Sequence, residues 1–249
     1  MKRRNDLPAV CLVFALLIVW QAAAMKINAA YIIPTPMQII KKIWELKEPL
    51  FMVHLPATMS VTFIGLLISV LMGTLLAVVM DMSEPLEKAV YPLVIASQTI
   101  PTTAIAPIFV LWFGYGMTGK ILVTVLMTFF PITITVFDGF KSVKTEMQEL
   151  LITMGATKRQ IFFKLKAPAA LPYFFSALKM AIPLCVIGAA IGEWLGAQSG
   201  LGYFSRRMMT QLDGAGIFAP IVILSLVAMA AAGIVSIIEK KLIRWRGEL

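Results

Sequence analysis

Residues 149–172 read ELLITMGATKRQIFFKLKAPAALP, a charged, amphipathic stretch set between long apolar segments. Apolar residues recur at Met147, Leu150, Leu151 and Met154, the i, i+3, i+4, i+7 spacing of a short helix with one apolar face. Gly155 is placed to close that helix in the left-handed conformation, and Thr157 to cap the free amides of a second. Ile161 and Leu165 give the second helix an apolar stripe, and Lys158, Arg159, Lys164 and Lys166 ring it with positive charge. Pro168 is expected to stop it, and Pro172 to open the following membrane helix. Two short helices at an angle, with exposed apolar residues and a basic rim, fit either a docking knob for a soluble partner or an interfacial pair lying on anionic lipid.

The surrounding chain sets the solvent. Of 249 residues, 59% are hydrophobic and 14% charged, against about 45–50% and 25% in a soluble domain. A hydrocarbon core of about 30 Å needs about 20 mainly apolar residues per helix. Six segments qualify, near 8–25, 57–80, 90–113, 119–138, 173–194 and 217–238. Solid apolar runs of this length exclude a membrane β-barrel, whose strands alternate over about ten residues. The expected fold is an all-α integral membrane protein of six transmembrane helices, one domain over 1–249, with its core at about 57–238 and a protruding loop at about 147–166.

With the N-terminus inside, one side collects Lys2, Arg3, Arg4, Lys88, Lys141, Lys144, Lys158, Arg159, Lys164, Lys166, Lys240, Lys241, Arg244 and Arg246, 14 of the 22 basic residues. The positive-inside rule therefore puts both termini in the cytoplasm. The net charge of +9 follows from this rim, and no nucleic-acid partner is expected. The basic, apolar N-terminus resembles a signal peptide, but removing it would leave five spans and invert the basic loop; it reads as an uncleaved first helix. Cys11 and Cys185 fall within apolar segments and read as small hydrophobes.

Several motifs resemble chemistry. GYGMTGK at 114–120 has phosphate-loop spacing, but Ile121 stands where the magnesium-binding Ser or Thr belongs and no strand precedes it; it reads as a hairpin between membrane helices. His54 is the only histidine, so no metal site and no Ser-His-Asp triad is expected. Gly188, Gly192, Gly196 and Gly200 recur every fourth residue, a ridge that admits a second backbone closely, either within one subunit or at a dimer contact or gate. Glu193 beside it is either functional or reaches interfacial water. Pro101, Pro107, Pro131 and Pro183 interrupt membrane helices, as tolerated where backbone lines a cavity. Thr99, Thr102 and Thr103 around Pro101 could offer hydroxyls to a polar solute on the same pathway or gate.

The 149–172 segment resembles the EAA loop of binding-protein-dependent ABC importer permeases, whose E-A-A, G and later L-P positions fall here on Glu149, Leu150, Leu151, Gly155, Leu171 and Pro172. The two alanines are leucines in this chain. Residues 99–114, 155–162, 167–181 and 193–203 look like the nitrate, sulfonate, taurine and thiamine-pyrimidine branch. The resemblance implies a type I ABC importer permease, a transport subunit without catalysis of its own. Residues 147–166 would be coupling helices, with Glu149, Leu150, Leu151, Gly155, Ala156, Lys158, Arg159, Ile161 and Phe162 meeting the ATPase. It further implies a second permease subunit, two cytoplasmic ATPase subunits that bind ATP and Mg, and an extracytoplasmic solute-binding protein. Arg206, Arg207, Gln211 and Asp213, in the outer loop before the sixth span, fit a contact with that protein, or, for Arg206 and Arg207, an anchor at lipid headgroups. The outer-loop string 193–215 looks most like permeases for thiamine-precursor pyrimidines, then sulfonate, taurine and nitrate. A secondary transporter or channel without ATPase partners would instead need ionisable residues near mid-membrane, for which Asp138 and Glu193 are the acidic candidates.

Overall fold

The computed structural model describes residues 7–243. The basic residues expected at the extreme termini, Lys2, Arg3, Arg4, Arg244 and Arg246, lie outside them. Eleven α-helices occur among the described residues: α1 (Leu7–Ile27), α2 (Pro36–Glu45), α3 (Leu55–Met82), α4 (Glu84–Ser97), α5 (Thr102–Phe113), α6 (Met117–Lys141), α7 (Thr145–Thr153), α8 (Lys158–Ile161), α9 (Ala167–Gly196), α10 (Leu201–Thr210) and α11 (Gly214–Leu242). Two π-helical turns, Pro49–His54 and Phe162–Lys166, lead directly into α3 and α9.

α6 is the central post, and small residues on its neighbours set the packing. A Cβ at Gly73 of α3 would lie 3.0 Å from Ile132, and one at Gly65 would strike Thr124. On α9, Cβ atoms at Gly188 and Gly192 would come within 2.9 Å of the Thr124 and Lys120 Cα atoms. Residue numbers rise together along α3 and α6 and oppositely along α6 and α9, so α3 runs parallel to α6 and α9 antiparallel. The intervening residues 83–116 must therefore return across the membrane once. α4 and α5 together form that crossing, a span bent by 96°, and the total is six.

One apolar cluster, including Met80, Ile132, Phe137, Phe140 and Ala170, fills the basic side of the bundle. A second, of Leu50, Leu201, Phe204, Met208, Ala219 and Ile223, fills the opposite side. Tilted pairs Tyr91–Phe137 and Phe140–Phe162, with centroids 5.5 and 5.3 Å apart, are in the range where aromatic contacts add to area burial.

Two expectations are corrected. The 90–113 segment is not one helix: it breaks at 98–101, where Pro101 lacks an amide and biases Ile100 away from helical geometry. Pro168 does not stop the loop helix and Pro172 does not open the next one. Both lie within α9, which continues from α8 through the π turn. The amide of Ala167 reaches five residues back to Phe162 O. That register shift puts Pro168 in a first helical turn, where a missing amide breaks no bond.

Candidate functional site

On the basic side, α7 and α8 form a corner with defined chemistry at its bend. Gly155 has φ +80°, and the amides of Gly155 and Ala156 donate to Ile152 O and Leu151 O, both at 2.9 Å. This pairing is a Schellman closure, which favours glycine at the left-handed position. Thr157 then opens α8 with a capping box: its hydroxyl accepts from the Gln160 amide at 3.3 Å while Gln160 Oε1 accepts from the Thr157 amide at 2.8 Å.

α7 has no buried residue, so it projects beyond the bundle. Leu150, Ile152, Met154 and Phe163 are 57, 59, 74 and 61% exposed, beside exposed Glu149, Lys158 and Arg159. The Arg159 guanidinium lies 5.8 Å from the Phe163 ring centre. Leu151 and Ala156 are half-buried. Two residues expected to meet a partner face inward: Ile161 is buried and Phe162 packs on Phe140. They root the corner in the bundle. Met154 belongs to the stripe read from the sequence, whereas exposed Ile152 and Phe163 lie outside the residues singled out there, because helical spacing alone cannot show which side the bundle covers.

The corner is tied to two spans. α8 runs through the π turn into α9, and Lys166 Nζ donates to both Asp81 oxygens of α3, at 2.8 and 3.0 Å. Asp81 is nearly buried, its side chain 3% exposed. Removing one partner of a buried pair leaves an uncompensated charge. Asp81→Asn is accordingly expected to cost about 3 kcal/mol in thermal unfolding of the purified chain, with much of the loss recovered by adding Lys166→Met. No recovery in the double variant would refute a charge-pair role. Deeper in the same half, Lys179 Nζ donates to Glu239 Oε2 at 2.7 Å, joining α9 to α11.

At the opposite mouth, α10 is seated by three amides. The Gly200 amide donates to His54 Nδ1 at 3.1 Å, the Leu201 amide to Thr58 Oγ1 at 2.8 Å and the Gly202 amide to Glu193 Oε2 at 2.8 Å. Thr58 Oγ1 also lies 3.1 Å from Glu193 Oε2 and 3.2 Å from His54 O, one proton serving two acceptors. Glu193 is fully buried, which corrects the reading that it reaches interfacial water: the free amides and positive end of α10 hold its side chain. Its Oε1 has no hydrogen-bond partner among the described residues. Asp138, the other acidic candidate, is exposed near the basic end of α6.

The remaining candidates divide. Gly188 and Gly192 lie against α6 within the chain, and Gly196 faces the Tyr115 ring. Thr103 and Pro183 share a groove of about 790 Å³ between α9 and α11, with Ile187, Trp194, Ser225 and Met229 among its walls. Thr99, Pro101 and Pro107 are exposed around the α4–α5 bend, and Thr102 is half-buried there. Arg207 and Gln211 are exposed, while Arg206 is partly covered and donates to Trp194 O.

Asp213, the fourth residue expected at a binding-protein contact, is half-buried and also has a structural part. It caps α11 through the Gly216 amide at 2.9 Å and pairs with Lys42 at 2.8 Å. Burial opposes its ionisation, but hydrogen bonds from Lys42 and the Gly216 amide, with the Lys42 charge, outweigh it and hold the carboxyl below its usual range. The stability this contributes is full above the ordinary aspartate range and is lost only as pH falls through the depressed value.

Comparison with known proteins gives a consistent result. The profile of the family described as "Binding-protein-dependent transport system inner membrane component" matches residues 65–244. The chain is 53% identical to the formylaminopyrimidine transport permease protein ThiX of Halalkalibacterium halodurans, over 93% of this chain and 92% of that one. It is 32% identical to the riboflavin transport system permease protein RibX of Chloroflexus aurantiacus, over 98% and 92%. Its fold matches a chain in the crystal structure of an amino acid ABC transporter with histidines, at TM-score 0.66 and 18% identity, over 78% and 95%. The branch expected from residues 99–114 and 193–203 is the one found. The chain is a permease subunit of the ABC importers and belongs to the binding-protein-dependent inner membrane component family.

Proposed function

We propose that this permease moves a flat nitrogen heteroaromatic of the thiamine-precursor pyrimidine type across the bacterial cytoplasmic membrane, with both termini in the cytoplasm. The observation that carries the solute class is the 53% identity, across 93% of the chain, to a permease named for formylaminopyrimidine. The α9–α11 groove supports it: an apolar wall with the Trp194 ring and the hydroxyls of Thr103 and Ser225 suits a ring that stacks and makes a few directed hydrogen bonds. No Lys or Arg lines the groove, which disfavours sulfonate, taurine or nitrate there.

In this reading a second copy of the chain completes the pathway. Two cytoplasmic ATPase subunits, which bind ATP and Mg, receive the α7–α8 corner, and a binding protein delivers solute beside Arg206, Arg207 and Gln211. The lever is mechanical. Because α8 continues into α9 and Lys166 grips α3, displacement of the corner moves two spans as one body.

Co-purification from native membranes with measured pyrimidine uptake tests this. The wild-type chain is expected to retain a soluble ATPase. Leu150→Glu, changing a residue 57% exposed, is expected to retain about tenfold less, the equivalent of about 1.4 kcal/mol, at unchanged insertion. A chain that transports while isolated alone in several detergents would instead favour an ATPase-independent transporter.

A further inference from the structure

α2 carries three different faces on ten residues. Ile39 is buried, and Ile43 and the following Leu46 pack on the cluster of Leu50, Leu201 and Phe204. Gln38, Lys41, Lys42 and Glu45 face a polar cleft of about 420 Å³ shared with Gln211 and Asp213. Met37, Ile40 and Trp44 form the third face and are 66, 61 and 72% exposed. At 3.6 residues per turn each face takes roughly a third of the circumference, so one helix meets protein, polar cleft and something apolar at once.

Its position identifies the apolar neighbour. A ten-residue helix is about 15 Å long and cannot cross a core of about 30 Å. α2 is held between the end of α1, where Met37 N lies 3.5 Å from Gln21 Oε1, and the span that opens at Pro49. Its depth is thereby fixed at the membrane boundary, on the side opposite α7 and α8. The exposed stripe ends in a tryptophan with Lys47 Nζ 4.4 Å from its ring centre. Tryptophan with an adjacent lysine is the composition of the headgroup boundary, where a lysine stem lies along apolar surface and its ammonium reaches phosphate.

We propose that α2 is a lipid-seated bracket. The Met37–Ile40–Trp44 stripe enters the acyl–headgroup boundary of phospholipid, Lys47 meets lipid phosphate, and the opposite edge of the helix holds the start of α11 through Lys42 and Asp213. The polar cleft stays turned to water. Its chemistry separates it from the stripe: a soluble partner is met by Gln38, Lys41 and Glu45, and lipid by the apolar face.

Nitroxide accessibility tests the assignment. Cys11 lies exposed within α1 and Cys185 is buried, so a Cys11→Ala chain carrying one of Met37→Cys, Ile40→Cys, Trp44→Cys or Lys41→Cys is spin-labelled and placed in vesicles of phosphatidylethanolamine and phosphatidylglycerol. The three stripe positions are expected to show oxygen-to-nickel-chelate collision ratios at least about fivefold above that at Lys41→Cys, because oxygen partitions into the bilayer and the chelate into water. High chelate accessibility along the stripe overturns the proposal and makes it an aqueous face. Low accessibility to both relaxants overturns it in favour of a second protein chain covering the stripe. The three positions are read independently, all on exposed side chains, so failure of one variant to fold leaves the test intact.

Discussion

A Gly155→Pro permease is expected to insert, fold and keep its thermal midpoint within a few degrees of wild type, yet to lose uptake by about 100-fold, equivalent to about 2.7 kcal/mol of lost coupling. Gly155 has φ +80°, whereas proline is confined near −65°, and proline also lacks the amide that donates to Ile152 O at 2.9 Å. The α7–α8 corner must therefore open. Nothing lies within 4 Å of a Cβ at this position, so the defect is conformational and not steric. Since α7 buries no residue, its reorientation leaves the bundle untouched. The transport defect rests on the coupling role proposed for the corner; the stability expectation rests on geometry alone. Gly155→Ala separates the two, because alanine at a left-handed position costs about 1–2 kcal/mol but keeps the amide, and it is expected to retain most uptake. Wild-type uptake by the proline variant, measured in reconstituted vesicles with the ATPase present, would remove the corner from the coupling path.

The features legible in the sequence are those with local or compositional causes. The six crossings were readable because a bilayer requires long apolar segments, and the Gly155 closure with its Thr157 cap because both depend on residues within one turn. The break at 98–101 was legible only in part: Pro101 signalled an interruption, but a proline inside a helical stretch can kink it without ending it. α2 and α10 were overlooked for the opposite reason: short amphipathic helices, ten residues each, carry too little apolar sequence to register as spans. Glu193 stood out as an acidic residue in an apolar segment, but its partners could not be read, since Thr58 lies 135 residues away. The available signal was an acidic residue in an apolar segment a few residues before Gly200 and Gly202: the Gly202 amide donates to its carboxyl group, and the bare Gly200 backbone leaves room for it.

That carboxylate and Gly200 define the position where substitution is expected to be most damaging to the fold. Gly200 has φ +118° and ψ +158°, a region essentially reserved for glycine, where another residue costs about 1–3 kcal/mol. A Cβ there would also overlap the Glu193 carboxyl group, which is fully buried and held by the Gly202 amide and Thr58. Strain and overpacking together place Gly200→Ala at about 4 kcal/mol of destabilisation. Glu193→Ala strands the Gly202 amide and leaves a void, about 3 kcal/mol, whereas Glu193→Gln keeps an acceptor oxygen and is expected to cost less than about 1.5 kcal/mol. The double variant Gly200→Ala with Glu193→Ala distinguishes strain from overlap: removing the carboxylate makes room for the Cβ but leaves the backbone angle unchanged. Its cost is therefore expected to fall short of the sum by about 1–2 kcal/mol, within the range of coupling measured between residues in contact. Thermal unfolding of the four variants in one detergent measures this. Additive costs would mean that the backbone angle alone selects glycine and that Glu193 does not fill the space above it. A shortfall would show that the buried carboxylate and the bare glycine backbone are two halves of one contact that seats α10 on the outer ends of α3 and α9.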